Sequence, residues 1–284
     1  MKHQAPSRQF PAMRSIGQRA VLSLRELGHQ AQFYFIAVRS LGEALVRYRA
    51  EVVRLIAQMG LGSGALALIG GATVVIGFLT LAGGTVIAIQ GYSSLSGIGV
   101  EAFSGFISAF VNIRLVAPIV AAIGLAATIG AGATAQLGAM RISEEIDALE
   151  VMGIRSIAYL ASTRIFAGLI VVVPLFCVAV IMAVFGTRLS ITIAYGQSTG
   201  VYDHYFRTFL NPVDLLWAFL QALFMAIVIM LLHTYYGFTA SGGPVGVGEA
   251  VGRATRTSLI VASFITLAVS LAVYGQNGNF NLSG

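Results

Sequence analysis

Charged side chains come in clusters along this chain, and between the clusters lie long windows free of Asp, Glu, Lys and Arg. They run from Leu55 to Val100, Leu115 to Met140, Ile165 to Thr187, Leu215 to Gly248 and Thr257 to Gly284. Each exceeds the roughly 20 apolar residues that take a helix across the hydrocarbon core. Lipid offers no partner to a bare backbone group, so a crossing segment must be a helix or part of a closed barrel. The windows are continuous where barrel strands would be short and alternating, which predicts helices. The fold class expected is an all-α membrane protein with about five transmembrane helices. The spans are placed at Gly64–Gln90, Leu115–Met140 (with an alternative start near Ala102), Ile165–Thr187, Leu216–Tyr236 and Ser258–Tyr274. Arg114 and Pro118 mark a kink or break early in the second.

Ahead of the first span, residues 1–10 read as a disordered tail. From Met13 to Met59 apolar positions recur at helical spacing: Val21, Leu24 and Leu27, then Phe35, Val38, Leu41 and Leu45, then Val52, Leu55 and Ile56. Arginines fill the faces between them, the pattern of a helix lying in the membrane surface. The chain therefore divides into residues 1–59, a tail with an interfacial amphipathic helix, and residues 60–284, the five-span domain. No cleavable signal peptide is expected, because the first apolar run follows this basic segment.

The connection between the second and third spans holds four of the chain's 11 acidic residues. Ile142, Ile146, Leu149 and Met152 fall on one helical face. Ser143 suits an N-cap, Glu144, Glu145 and Asp147 suit a first turn, and Gly153 suits a terminator. A short acidic amphipathic helix over 142–154 is predicted. It is either an ordinary solvated hairpin or a docking helix that enters a groove on a partner. Residues 237–256, rich in Gly and Ser, read as a loop.

Composition changes the picture little and charge changes it more. The chain is 57% hydrophobic and only 10% charged, against about 25% in soluble domains. Nine basic residues (Lys2, Arg8, Arg14, Arg19, Arg25, Arg39, Arg47, Arg49 and Arg54) precede the first span. Arg141, Arg155 and Arg164 flank the second connection, and Arg253 and Arg256 precede the last span. Only Arg114, Arg188 and Arg207 remain for the other side. The positive-inside rule then sets the N-terminus in the cytoplasm and the C-terminus outside, and the net charge of +6 faces anionic head groups without invoking nucleic acid. Tyr202, Tyr205, Phe206, Phe209 and Trp217 are expected at the outer interface.

Candidate chemistry is sparse. His3, His29, His204 and His233 show no paired spacing, so no metal is expected, and the lone Cys177 reads as a packing residue. His233, inside the fourth span, is expected to be neutral and hydrogen-bonded. Gly130-Ala-Gly132 and Gly246-Val-Gly248 lack the strand–turn–helix context of a nucleotide loop. Small residues on the second span, Gly124, Ala127, Ala131 and Ala135, predict close helix approach. Spans without buried acids or lysines are unlike those of ion-coupled pumps, which places the energy source in another subunit and favours an apolar substrate. A cavity is expected between the first and second spans near their outer half.

The run Gly138-Ala-Met-Arg-Ile-Ser-Glu-Glu-Ile-Asp-Ala-Leu-Glu-Val-Met-Gly153 resembles the signature of the MlaE/YrbE permeases, in the manner of the actinobacterial branch. Arg164-Ile-Phe-Ala-Gly168 is similar to a second motif of that family, and Tyr236-Gly237-Phe238 with Gly252-Arg-Ala-Thr255 to a third. The resemblance covers residues from about Met59 to Tyr274. It implies a non-enzymatic permease of an ABC transporter in the bacterial inner membrane, moving fatty acid, sterol or phospholipid with mammalian-cell-entry (MCE) proteins. Glu144, Glu145, Asp147, Glu150, Met152, Gly153 and Ile154 would form the contact with a cytoplasmic ATPase that binds ATP and Mg. Rival readings are an autonomous channel and a non-transporting scaffold.

Three positions depart from the family's pattern. Leu115 stands where a glutamate follows the arginine, Thr128 where an arginine is usual, and Gln136 where a glutamate is common. These losses suggest a heterodimer whose second, paralogous permease subunit keeps the charges.

Overall fold

The computed structural model describes residues 11–61 and 71–274. Three helices lead into the bundle: α1 (Pro11–Arg39), α2 (Leu41–Arg47) and α3 (Arg49–Leu61). The first two spans are α4 (Gly71–Ser96) and α5 (Glu101–Ile142). The short α6 (Glu145–Val151) separates them from the third span, α7 (Ile157–Ala194). Beyond it come α8 (Thr199–Phe209) and the last two spans, α9 (Pro212–Phe238) and α10 (Gly243–Val273). Five of these helices are thus long and apolar enough to cross a membrane, and the described residues contain no strand.

Several boundaries differ from the sequence expectation. The part of the first span expected over 64–70 lies outside the described residues. The second span takes the earlier start, at Glu101, and Pro118 does not break it. A π-helical stretch, Ser108–Val116, precedes an α-helical one that Pro118 enters in its first turn, where a missing N–H costs little. The last span begins at Gly243, well before Ser258, so most of the expected loop is helix. Gly242 and Gly243 turn the chain at φ +88° and +72°, and Pro244 opens the helix. At Gly246 a Cβ would overlap the carbonyl of Ser241. The glycines that suggested a loop serve a tight turn and a close approach.

The hydrophobic core lies where α7 packs between α4 and α9, with the middle of α5 against all three. Its side chains are small: Ala117, Ala121, Ala122, Ala126 and Ala133 of α5 are all buried. This is the face of α5 that lets helices approach. Of the four small residues expected there only Gly124 is buried, against Ile76, whereas Ala127 and Ala135 are exposed and Ala131 is half-buried. All are small enough for close approach, so size could not select the face.

Helices α1–α3 pack one side against this core. Phe33 meets Tyr235 and Phe238 at ring-centroid distances of 5.5 and 5.4 Å, and the Ser162 hydroxyl donates to the Ala37 carbonyl at 2.9 Å. Burial pushes the Tyr34 phenol beside them up to about 12. Leu27, Phe35, Val38 and Leu45 remain exposed, as an interfacial helix requires.

At the opposite end α8 is held by Arg188, whose guanidinium donates twice to Asp203 at 2.9 Å and keeps that carboxyl below its usual range. The aromatic residues there do not simply line an interface. Tyr202 is buried and donates to Ser108 at 2.7 Å, while Phe103 and Phe106 pack on Tyr205 and Phe209. Trp217 is the exposed one of the five expected. Cys177 is exposed on the outside of the bundle instead of packing between helices.

Candidate functional site

The connection after α5 is built as a stiff corner. Ser143 does not cap α6; it ends α5, its hydroxyl bonded back to the Ala139 carbonyl at 2.9 Å. The turn is made instead by Glu144, the single non-glycine at positive φ (+61°) among the described residues. Such a conformation is costly for a side chain with a Cβ and is found preferentially at functional positions. The helix that follows spans Glu145–Val151, shorter than the expected 142–154. Gly153 ends it at φ +75°, with its N–H donated to Glu150 and that of Ile154 to Leu149. This pair of bonds is a Schellman cap and needs the left-handed residue that glycine supplies.

Internal contacts separate the predicted contact residues into two groups. Ile146 is fully buried against Leu137 and Leu160, and Leu149 packs at the edge of the same cluster. Asp147 accepts from Arg141 at 2.6 Å, and Glu150 accepts from the Ser156 hydroxyl at 2.5 Å. Both acids are exposed, and their bonds brace the corner at its surface. Glu144 and Glu145 are exposed, and beside them Val151 and Met152 are 89% and 66% exposed. A fixed helix thus presents four carboxylates, two of them already bonded to Arg141 and Ser156, and two apolar side chains to whatever lies beyond it.

The same corner is tied to the surface helices. Arg155 reaches Glu43 of α2 at 2.5 Å, and Tyr48 packs edge-on against Tyr159 at 5.1 Å. Arg155 is largely exposed, so the pair is worth about 1 kcal/mol or less. Its effect should be local. Arg155→Glu sets two carboxylates together and is expected to speed hydrogen exchange over residues 41–47, and adding Glu43→Arg restores protection. Equal exchange in wild type and single variant would show that the pair does not hold α2.

A groove opens beside the corner, between α3, the start of α4 and the second half of α5. It encloses about 270 Å³, and Gln58, Met59, Ala72, Thr128, Gly132 and Gln136 are among its walls. The expected pair of spans forms it, but at the α6 end and not at the opposite one. Two of the positions that depart from the resembled family, Thr128 and Gln136, stand two turns apart in this groove. Leu115 is not among its lining residues.

Arg114 and His233, inside the spans, have structural partners. Arg114 pairs with Asp214 at 2.5 Å and stacks 4.0 Å over Phe110, tying the start of α9 to α5. His233 is fully buried, its Nδ1 2.7 Å from the Thr134 hydroxyl as a hydrogen-bonded histidine should be, and its ring fills the space over Gly130.

Fold and site together define a multi-pass helical membrane protein with an acidic helical corner at one end. The sequence pattern described as Permease MlaE matches residues 62–272. The chain belongs to the MlaE permease family. It is 26% identical over 265 residues to a probable ABC transporter permease protein of Rickettsia felis, covering 90% of this chain and 93% of the relative. It is 28% identical over 187 residues to the chloroplastic protein trigalactosyldiacylglycerol 1 of Arabidopsis thaliana, covering 64% and 53%. Over 187 residues it is 24% identical to the intermembrane phospholipid transport system permease protein MlaE of Haemophilus influenzae, covering 66% and 70%.

Proposed function

We propose that this chain is the membrane-spanning subunit of an ABC transporter that moves lipid, with α6 docked on a cytoplasmic ATPase that holds ATP and Mg. The observation that carries the reading is α6 itself, anchored from within yet exposing Glu144, Glu145, Val151 and Met152. A lever must be rigid to pass on motion, and its outward face must be free to bind. Support for lipid as cargo comes from the family and from the relative named for phospholipid transport. Fatty acid and sterol share the apolar body that spans without buried acids favour. The α6 end faces the cytoplasm in this reading, the N-terminus lies inside and the C-terminus outside the inner membrane, and MCE proteins meet the α8 end. The neutral residues at 115, 128 and 136 favour pairing with a second, paralogous permease.

The test is a mild-detergent pull-down of the tagged chain from native membranes, with cross-linking and mass spectrometry. Recovery of an ATPase, a second permease and MCE proteins is the expected outcome. Two copies of this chain with no second permease would remove the heterodimer. Recovery of the chain alone, with conduction on reconstitution, would replace the transporter by an autonomous channel, and recovery in a complex without any ATPase would make it a scaffold.

A further inference from the structure

Resting on the transporter reading, we infer that the groove between α3, α4 and α5 takes one acyl chain of an esterified cargo lipid from the cytoplasmic side of the membrane. Its position is the first ground. Leu55, Gln58 and Met59 of α3 form one wall and Thr128, Gly132 and Gln136 of α5 another. α3 belongs to the surface helices, so the groove sits where head groups give way to acyl chains.

Its chemistry is the second ground. Among the described residues no charged side chain lines it. The Thr128 hydroxyl already donates to the Gly124 carbonyl at 2.6 Å, and the Gln58 carbonyl already accepts from Arg54 at 3.3 Å. Arg54 at the rim is itself bound to Glu51 through Nε at 2.8 Å and Nη2 at 2.5 Å, so its charge is matched. A free carboxylate would enter without a counter-charge, which is costly away from water. An ester-linked chain brings only methylenes and a carbonyl, and the amide of Gln136 or Gln58 can donate to that carbonyl.

Size is the third. About 270 Å³ lies just under the range of 300–1,000 Å³ that holds whole small ligands. Part of one chain fits, while the rest of the lipid and its head group stay in the bilayer. The open floor is glycine: a Cβ at Gly132 would meet nothing within 4 Å. A larger residue there fills the groove without displacing a helix.

The experiment uses the complete complex purified from native membranes, in liposomes carrying either phosphatidylcholine with a diazirine in one acyl chain or diazirine-bearing palmitic acid. Wild type should be photolabelled on the α5 peptide around residues 128–136 by the phosphatidylcholine probe and far less by the free acid. Gly132→Phe should cut that labelling and the lipid-stimulated ATPase rate roughly tenfold, as expected when about two methylenes are shut out. Labelling near exposed Phe78 should not change. Gly132→Leu repeats the test if the Phe variant does not fold. A blocked groove with normal ATPase stimulation would mean that only bilayer lipid lodges there and would overturn the proposal. So would unchanged labelling in both large variants, or stronger labelling by the free acid. A preparation that lacks ATPase overturns the transporter reading itself, and this shows before any variant is made.

Discussion

Reversing two exposed acids of the corner proposed to dock the ATPase, with Glu144→Lys and Glu145→Lys, is expected to abolish lipid-stimulated ATP hydrolysis while leaving the permease folded and inserted. Both side chains are exposed, so the folded chain loses little. The one internal bond at stake is that from the Ser143 hydroxyl to Glu145 at 3.0 Å, on the surface. The bracing contacts of Ile146, Asp147 and Glu150 are untouched. At an interface, disrupting a hydrogen-bonded charge pair costs about 2–5 kcal/mol, roughly thirtyfold to several thousandfold in affinity. The measurement is ATPase co-purified per permease, with hydrolysis stimulated by lipid. Glu144→Gly separates charge from backbone. Glycine accepts φ +61° without strain, so this variant should melt no lower than wild type and yet bind ATPase less well. Full stimulation in the double lysine variant would remove α6 from the coupling path.

The sequence made the crossing helices legible because lipid demands long apolar windows, a signal no other fold element gives at that length. It also located the short acidic helix between the second and third spans, closed by Gly153. Three things escaped it for physical reasons. Ser143 had the right chemistry for an N-cap, but Glu144 took the left-handed turn and left Ser143 at the end of α5. The Gly/Ser run at 241–248 reads as a loop by composition, yet close packing at Gly246 and Pro244 in the first turn make most of it helix. The buried face of α5 was hidden because alanines and glycines surround that helix, so no hydrophobic contrast marks one side. Of the groove the sequence showed only the pair of spans that forms it, placed at the opposite end from the one the structure shows. Gln58, Met59 and Gly132 carried no mark in the sequence, because only the tertiary fold sets α3 across the groove from α5.

Gly84→Val is expected to have the largest effect on assembly, dissolving the α4–α7 crossing. A Cβ at Gly84 would overlap the carbonyl of Ala183, and one at Gly186 would overlap that of Leu81. The two glycines therefore place backbone against backbone, and no side-chain rotation can make room. The closeness lets the Thr187 hydroxyl donate to the Gly84 carbonyl at 2.7 Å. From Thr187 a chain of bonds runs outward: Asn112 donates to it at 2.7 Å and to Ser108 at 3.1 Å, and Ser108 accepts from Tyr202 at 2.7 Å. Spreading α4 from α7 breaks the first of these bonds and loosens the rest, including the seat of α8. Overpacking costs about 1–3 kcal/mol and an interhelical bond in a membrane about 1–2, so a loss of roughly 3 kcal/mol or more is expected. Detergent-solubilised protein should melt well below wild type, and Tyr202 should lose its protection from solvent. Gly132→Ala is the control, because its added methyl meets open space and removes a flexible glycine from a helix. Should both variants melt with wild type, α4 and α7 do not cross at these glycines, and the bonds from Gly84 to Tyr202 fail with that crossing.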